Sequence, residues 1–315
     1  MTIESACNLI VKEFRSRPTL RAGSLITTVF GDSIAPRGGT VWLGSLIRAM
    51  AEFGINERLV RTSVYRLVQD GWLQSSQVGR RSFYSLTDEG RGKFRAATHR
   101  IYGEPVTGWN GEWCLLLLSN LEAPVKESLR RECSWLGFGP LSANVLAHPA
   151  PDESDLETTL KRVGGAEEVV VMSAQTLGSD APMRKLTATA WNLDDIDARY
   201  QKFVTMFRPL FNALKKTRKV DPRNAFVTRT LLIQEYRKVL LRDPQLPQEL
   251  LPAGWHGTAA YQLCRNLYRG LHEAADDYLT EVMETADGPL PPPAGSYLLR
   301  FGGLENADAK QRKSA

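Results

Sequence analysis

ERLVRTSVYRLVQDGWL, residues 57–73, is the stretch on which the fold turns. Asn56 stands in front of it as a helix cap, and Gly71 is free to take the left-handed conformation that closes a helix, so the pattern predicts a helix from Glu57 to Asp70. Leu59, Val60, Val64, Leu67 and Val68 fall at threes and fours on one face, suited to docking on neighbouring helices. The opposite face carries Arg58, Arg61, Thr62, Tyr65, Arg66 and Gln69. An arginine fork can pair with O6 and N7 of guanine, and Thr or Gln can read base edges or hold phosphates.

The flanks complete the pattern. Upstream, Gly23–Phe30 has helical apolar spacing and ends at Gly31-Asp32, Ala35-Pro36-Arg37-Gly38-Gly39 is turn chemistry, and Thr40 is placed as the cap of a second helix over residues 41–50. Downstream, residues 72–76 and 82–86 read as two short strands around a basic tip, Gly79-Arg80-Arg81. Thr87-Asp88-Glu89-Gly90 then opens a further helix, its acids at the positive helix end. Two helices around a tight turn, followed by a basic-tipped hairpin, make a winged helix-turn-helix. Arg80 and Arg81 would reach a minor groove or the DNA backbone. Arg58, Arg61, Arg66 and Arg80 accumulate with few acids nearby to pair them.

Charge is distributed to match. The 315 residues carry a net +5, but residues 1–102 hold 15 Lys+Arg against 8 Asp+Glu, while the rest holds 25 against 27. The positive excess therefore belongs to the first third, as expected of a module facing a polyanion. No run of about 18 apolar residues is present, which argues against a membrane span, and the first residues lack a secretory-signal pattern. Cys7, Cys114, Cys133 and Cys264 lie far apart without metal-ligand spacing and read as core residues of a cytoplasmic protein.

Beyond residue 102 the periodicity changes. Strands are expected at 113–118, 141–148 and 168–174, with helices at 124–136 and 152–163 between them, an order that suggests a ferredoxin-like α/β sandwich. Trp109, Trp113 and Trp135 read as core anchors rather than a ligand cage. From Asp194 the pattern is helical: a first helix closed by Lys215–Lys219, a second over about 222–240, and a third over about 258–284. Gly288–Pro293 reads as a stiff linker, Ser296–Phe301 as a possible strand and Lys310–Ala315 as a disordered tail. The fold class is thus α+β and multidomain. It comprises a winged helix-turn-helix with an N-terminal arm (1–102), a ferredoxin-like central domain (103–185), a mostly α-helical effector-binding and dimerisation domain (186–287), and a linker and tail (288–315).

With these residues set out, the chain closely resembles the PaaX family, repressors of phenylacetic-acid catabolic operons. The matching stretches are LITTVFGDSIAPRGGTVWLGSLI (25–47), ERLVRTSVYRLVQDGWL (57–73), GRRSFYSLTDEG (79–90), GWNGEWCLLLL (108–118) and LLIQEYRKVLLRDPQLPQELLPAGWHGTAAYQLCRNLY (231–268). Gln234 stands where many relatives would have histidine, and His256 where a small residue or proline is more usual. The resemblance implies a homodimer on palindromic operator DNA, released by phenylacetyl-coenzyme A. Such an effector needs an apolar slot for its ring and cations for its phosphates. Tyr236, Arg237, Arg242 and Trp255, in or beside the matching segment, supply those types.

Some relatives of the central fold are metal-dependent nucleases, which place an aspartate at the end of the first strand. Here that strand runs into Ser119-Asn120, with no carboxylate until Glu122. No GxSxG, HExxH, CxxC pair, P-loop or GxGxxG opening a βα unit occurs, and the four histidines are isolated. Catalytic residues, metal ligands and a resident cofactor are therefore not expected. The alternatives are a regulator answering to another aryl- or acyl-coenzyme A, an enzyme acting through the central or C-terminal domain, and an architectural DNA-coating protein with no ligand.

Overall fold

Burial along the N-terminal third follows the apolar spacing closely, and the few departures are set by distant pairing. The structure, a computed structural model, describes residues 1–17, 21–105, 108–149, 151–164, 167–177, 180–217 and 219–304. Its described residues form two compact units, one of residues 1–104, 202–237 and 259 onward, the other of residues 105–201 and 238–258.

The first unit begins with α1 (Ile3–Arg15), capped by Thr2, where sequence alone suggests only an arm. Next come α2 (Ala22–Val29) and a π-turn over Phe30–Ile34. Thr40 is not the helix cap that its residue type suggests. It opens β1 (Thr40–Trp42), which pairs antiparallel with a strand more than forty residues on, and α3 (Leu43–Ala51) starts only after it. The β-forming Thr-Val-Trp run buries Val41 completely, and that partner outweighs a local cap. The helix over Glu57–Gln69, α4, packs on α2 and α3. β2 (Leu73–Val78) and β3 (Arg81–Leu86) form the hairpin, giving a three-stranded sheet ordered β1-β3-β2. Thr87 caps α5 (Asp88–Tyr102), its hydroxyl accepting from the Gly90 amide at 2.9 Å.

The second unit contains β4 (Glu112–Leu117), α6 (Ala123–Trp135), β5 (Gly139–Ser142), β6 (Val145–His148), α7 (Glu153–Val163) and β7 (Val170–Gln175). The four strands are antiparallel and ordered β5-β6-β4-β7, the βαββαβ arrangement of a ferredoxin-like sandwich. The single strand expected over 141–148 is instead a tight hairpin, turning at Ala143-Asn144 without glycine or proline to announce it. Leu116, Leu118, Leu129, Cys133, Leu146 and Leu156 are among its core residues. Trp113 is buried against Trp109 and Trp191, but Trp135 is 69% exposed and is no core anchor. α8 (Asp180–Ala190), not foreseen, packs on β5.

Three long helices follow, α9 (Leu193–Leu214), α10 (Pro222–Leu240) and α11 (His256–Val282), close to their expected bounds. The sequence pattern sets 186–287 apart as a domain, whereas residues 202–237 and 259–282 share the compact unit of the winged helix. Packing gives the reason. Phe226 of α10 meets Phe53 at 5.7 Å and stacks on Tyr278 of α11 at 4.7 Å. A short hairpin, β8 (Glu284–Thr285) and β9 (Gly288–Pro289), replaces the expected linker, and 296–301 forms α12 (Gly295–Leu298) and a 3-10 turn instead of a strand. Arg218 and the 310–315 tail lie outside the described residues.

A buried ionic layer joins these elements. Asp32, fully buried, accepts from Tyr102 at 2.7 Å, Tyr268 at 2.8 Å and Arg300 at 3.0 Å, and faces Arg229 Nε at 3.1 Å. Arg229 also donates to Ser33 Oγ at 3.0 Å and Asp276 at 2.7 Å, and Asp276 pairs with the buried Arg37 at 2.8 Å. Burial alone would push the Asp32 carboxyl up. Arg229, Arg300 and the tyrosine hydroxyls override it and hold that carboxyl below its ordinary range.

Candidate nucleic-acid interface

The reading helix is built as its sequence dictates. Asn56 Oδ1 accepts the Leu59 amide at 2.9 Å, satisfying one of the donors that a helix start leaves open. At the other end Gly71, at φ 71°, permits the Trp72 amide to reach Leu67 O at 2.9 Å and the Gly71 amide to reach Val68 O at 3.1 Å. Those two bonds make a Schellman closure. Val60 and Val64 are buried and pin the inner face, with Ser63 between them and Leu67 and Val68 half-buried. Leu59 departs from expectation at 36% exposure. It sits about 100° round the helix from Val60, near the edge of the docking face.

All six outer-face residues, Arg58, Arg61, Thr62, Tyr65, Arg66 and Gln69, are exposed, and Tyr65 presents 64% of its surface. They line one side of a rigid helix, the geometry that direct readout in a major groove requires. The assumption that the arginines lack acids fails for Arg61, which pairs with Glu57 one turn back at 2.7 Å. Glu57 was available in the sequence at the i, i+4 spacing that makes such pairs. Thr62 turns its hydroxyl onto Arg58 O at 2.9 Å, so it must rotate to read a base. Arg58 and Arg66 form no ion pair among the described residues.

In the wing, Val78 and Arg81 pair across a two-residue turn, Gly79-Arg80, with glycine at its first position (φ 59°). That arrangement matches the right-handed twist of a hairpin. Arg80 stands exposed at the tip. Arg81 does not share the tip: its guanidinium lies 4.2 Å from the centre of the Trp42 ring and pairs with Glu284 at 2.9 Å.

The four residues expected to meet an effector fall in different places. Tyr236 and Arg237 belong to the unit of the winged helix, and Arg242 and Trp255 to the other. Tyr236 is buried with its ring 5.5 Å from Phe203. Arg237 donates to Ser24 Oγ at 3.0 Å and to Ser24 O at 3.2 Å, and burial pushes its pKa down. Gln234 is buried beside it, accepting from Thr28 at 2.5 Å and donating to Ser24 Oγ at 3.0 Å. Arg242 is exposed, and half-buried Trp255 sets its ring 5.7 Å from Tyr200. His256 is held by Asp197, which takes both its amide at 2.7 Å and its ring nitrogen at 2.8 Å.

A three-stranded wing, an exposed arginine-bearing helix and a basic hairpin tip define a winged helix-turn-helix DNA-binding protein. More narrowly, the chain belongs to the PaaX family. Residues 21–90 match the family model of PaaX-like proteins, 106–186 the PaaX central Cas2-like domain and 191–281 the PaaX-like C-terminal domain. The transcriptional repressor PaaX of Escherichia coli (strain K12) is 42% identical over 284 residues, 89% of this chain and 90% of that protein. Among solved structures, the uncharacterized protein Rv0674 from Mycobacterium tuberculosis aligns with a TM-score of 0.49 at 25% identity, over 74% of this chain and 89% of its own. No helix among the described residues is long and apolar enough to cross a membrane.

Proposed function

We propose that this protein is a transcriptional repressor of phenylacetate catabolic genes that leaves its operator when phenylacetyl-coenzyme A binds. The observation that carries the reading is the exposed outer face of α4, held rigid by a cap at one end and a Schellman closure at the other. The 42% identity to a PaaX repressor across nine-tenths of both chains supports the regulatory role and the pathway. The protein works as a homodimer that reads two half-sites, and it regulates by occupancy without turning over a substrate. It is a cytoplasmic protein and needs no resident cofactor.

For the effector, accessibility favours Arg242 and Trp255 as direct contacts, since Arg242 is exposed and Trp255 half-buried. Tyr236 and Arg237 already hold α10 in its packing, so a ligand engaging them would act by loosening α10 from α2. The test is a mobility-shift assay on promoter fragments against random DNA, with and without phenylacetyl-coenzyme A. Promoter-selective binding abolished by the ligand is expected. Selective binding indifferent to the ligand would remove the effector, and equal binding to random DNA would leave an architectural protein. Ligand turnover or metal-dependent DNA cleavage by the purified protein would overturn the non-enzymatic reading.

A further inference from the structure

Arg48, on α3, and Arg81, at the start of β3, converge on one carboxylate. Arg48 Nη2 pairs with Glu284 Oε1 at 2.7 Å and Arg81 Nη1 with Glu284 Oε2 at 2.9 Å. Both guanidiniums lie against the same indole, 5.3 Å and 4.2 Å from the Trp42 ring centre. The carboxylate is positioned from behind. The Glu284 amide donates to Ser45 Oγ at 3.2 Å, and Arg48 Nη2 also donates to Val282 O at 3.0 Å. The two arginines hold the Glu284 carboxyl below the ordinary glutamate range. All three charged side chains remain open to solvent, at 51%, 53% and 32%.

One anion held through two oxygens by two guanidiniums is the arrangement in which arginines bind a phosphodiester. The elements are the right ones for that ligand. Arg81 follows the wing-tip Arg80 directly, and α3 precedes the reading helix in the helix-turn-helix, where backbone contacts fix register. We propose that Arg48, Arg81 and Trp42 form a DNA-phosphate site at the root of the wing, which the Glu284 carboxylate fills when DNA is absent. Two arginines and one glutamate leave a residual positive charge, which draws the backbone toward the clamp. Solvent-exposed ion pairs contribute little, so a phosphate can replace the carboxylate. The β8–β9 hairpin then swings free of the wing. Glu284 thus sets how tightly, and how salt-dependently, the protein grips any DNA.

The inference rests on DNA lying against the winged helix, and the test separates the two. Full-length protein is titrated with fluorescent duplexes, promoter-derived and random, across a series of salt concentrations, and binding is read by anisotropy. Glu284→Gln should bind both duplexes more tightly, by up to about fivefold. Its plot of log affinity against log salt should be steeper by about 0.9 for each phosphate gained. Adding Arg48→Ala to Glu284→Gln should remove both gains. Unchanged or weaker binding by Glu284→Gln, with the wild-type slope, would overturn the phosphate site while leaving the DNA-binding reading intact. Failure of the wild-type protein to bind either duplex would overturn both.

Discussion

Replacing Asp32 by asparagine tests the central energetic feature of the larger unit. The side chain is fully buried, and its charge is shared by Arg229 at 3.1 Å and Arg300 at 3.0 Å. Asparagine keeps the shape but removes the charge, and it turns one acceptor into an NH2 facing other donors. Arg229 keeps Asp276 as a partner, while Arg300 loses the one carboxylate that an ion pair gives it among the described residues. Breaking one side of a buried pair costs about 3–5 kcal/mol, because a desolvated charge is left uncompensated. In a unit of roughly 200 residues, each kcal/mol moves Tm by about 2–4 °C, so a fall of roughly 6–20 °C is expected. Tyr102→Phe is the control. It removes one hydroxyl donor to Asp32 but no charge, for about 1–3 kcal/mol. Thermal and urea unfolding followed by circular dichroism at pH 7.5 would measure both. If Asp32→Asn cost no more than Tyr102→Phe, charge compensation would not be what holds this layer.

The same aspartate has a pH signature. Its native pKa is depressed, so its contribution is complete above the unfolded carboxylate range, near about 4, and is lost as pH falls through the lower native value. Wild-type stability should therefore drop more steeply than that of Asp32→Asn on acidification below about pH 4; parallel curves would refute the assignment. On the DNA side, Arg66→Ala should cost about 1–3 kcal/mol and relax preference at one operator position, whereas Arg80→Ala should weaken all sequences alike, as competition binding with single-base operator variants would reveal. Equal, sequence-independent losses at both positions would mean that α4 does not read bases.

What could be read from the sequence was what local chemistry decides. Asn56, the valines at 60 and 64 and Gly71 specify α4 within fifteen residues, and the structure keeps that helix to within one residue of its expected end. The features missed depend on partners far along the chain. Thr40 is equally a cap and a strand former, and only Ser85 across the sheet selects the strand. The β5–β6 turn lacks the usual turn residues, so its hairpin follows from pairing with β4. Arg80 and Arg81 look alike in sequence, yet Glu284, two hundred residues away, takes one and leaves the other. Periodicity identified the C-terminal helices but not their allegiance, because an amphipathic face does not say which apolar surface will cover it.

That allegiance bears on regulation. For a ligand to weaken operator binding 100-fold, it must favour the non-binding state by about 2.7 kcal/mol. Within the unit that carries the winged helix, α4 rests on α2. α2 and its π-turn in turn are held by α10, through Arg237 and Gln234 on Ser24, Gln234 on Thr28, and Arg229 on Asp32 and Ser33. Each buried polar bond left unsatisfied costs about 1–3 kcal/mol. The loss of one or two of them is therefore comparable to the whole regulatory requirement. A ligand that shifts α10 by enough to break the Ser24 and Thr28 bonds need not touch the reading helix at all, because the helix beneath it has lost its anchor. The polar face between α2 and α10 is a better lever than an apolar one, since hydrogen bonds are lost over a fraction of an ångström where hydrophobic contact declines gradually.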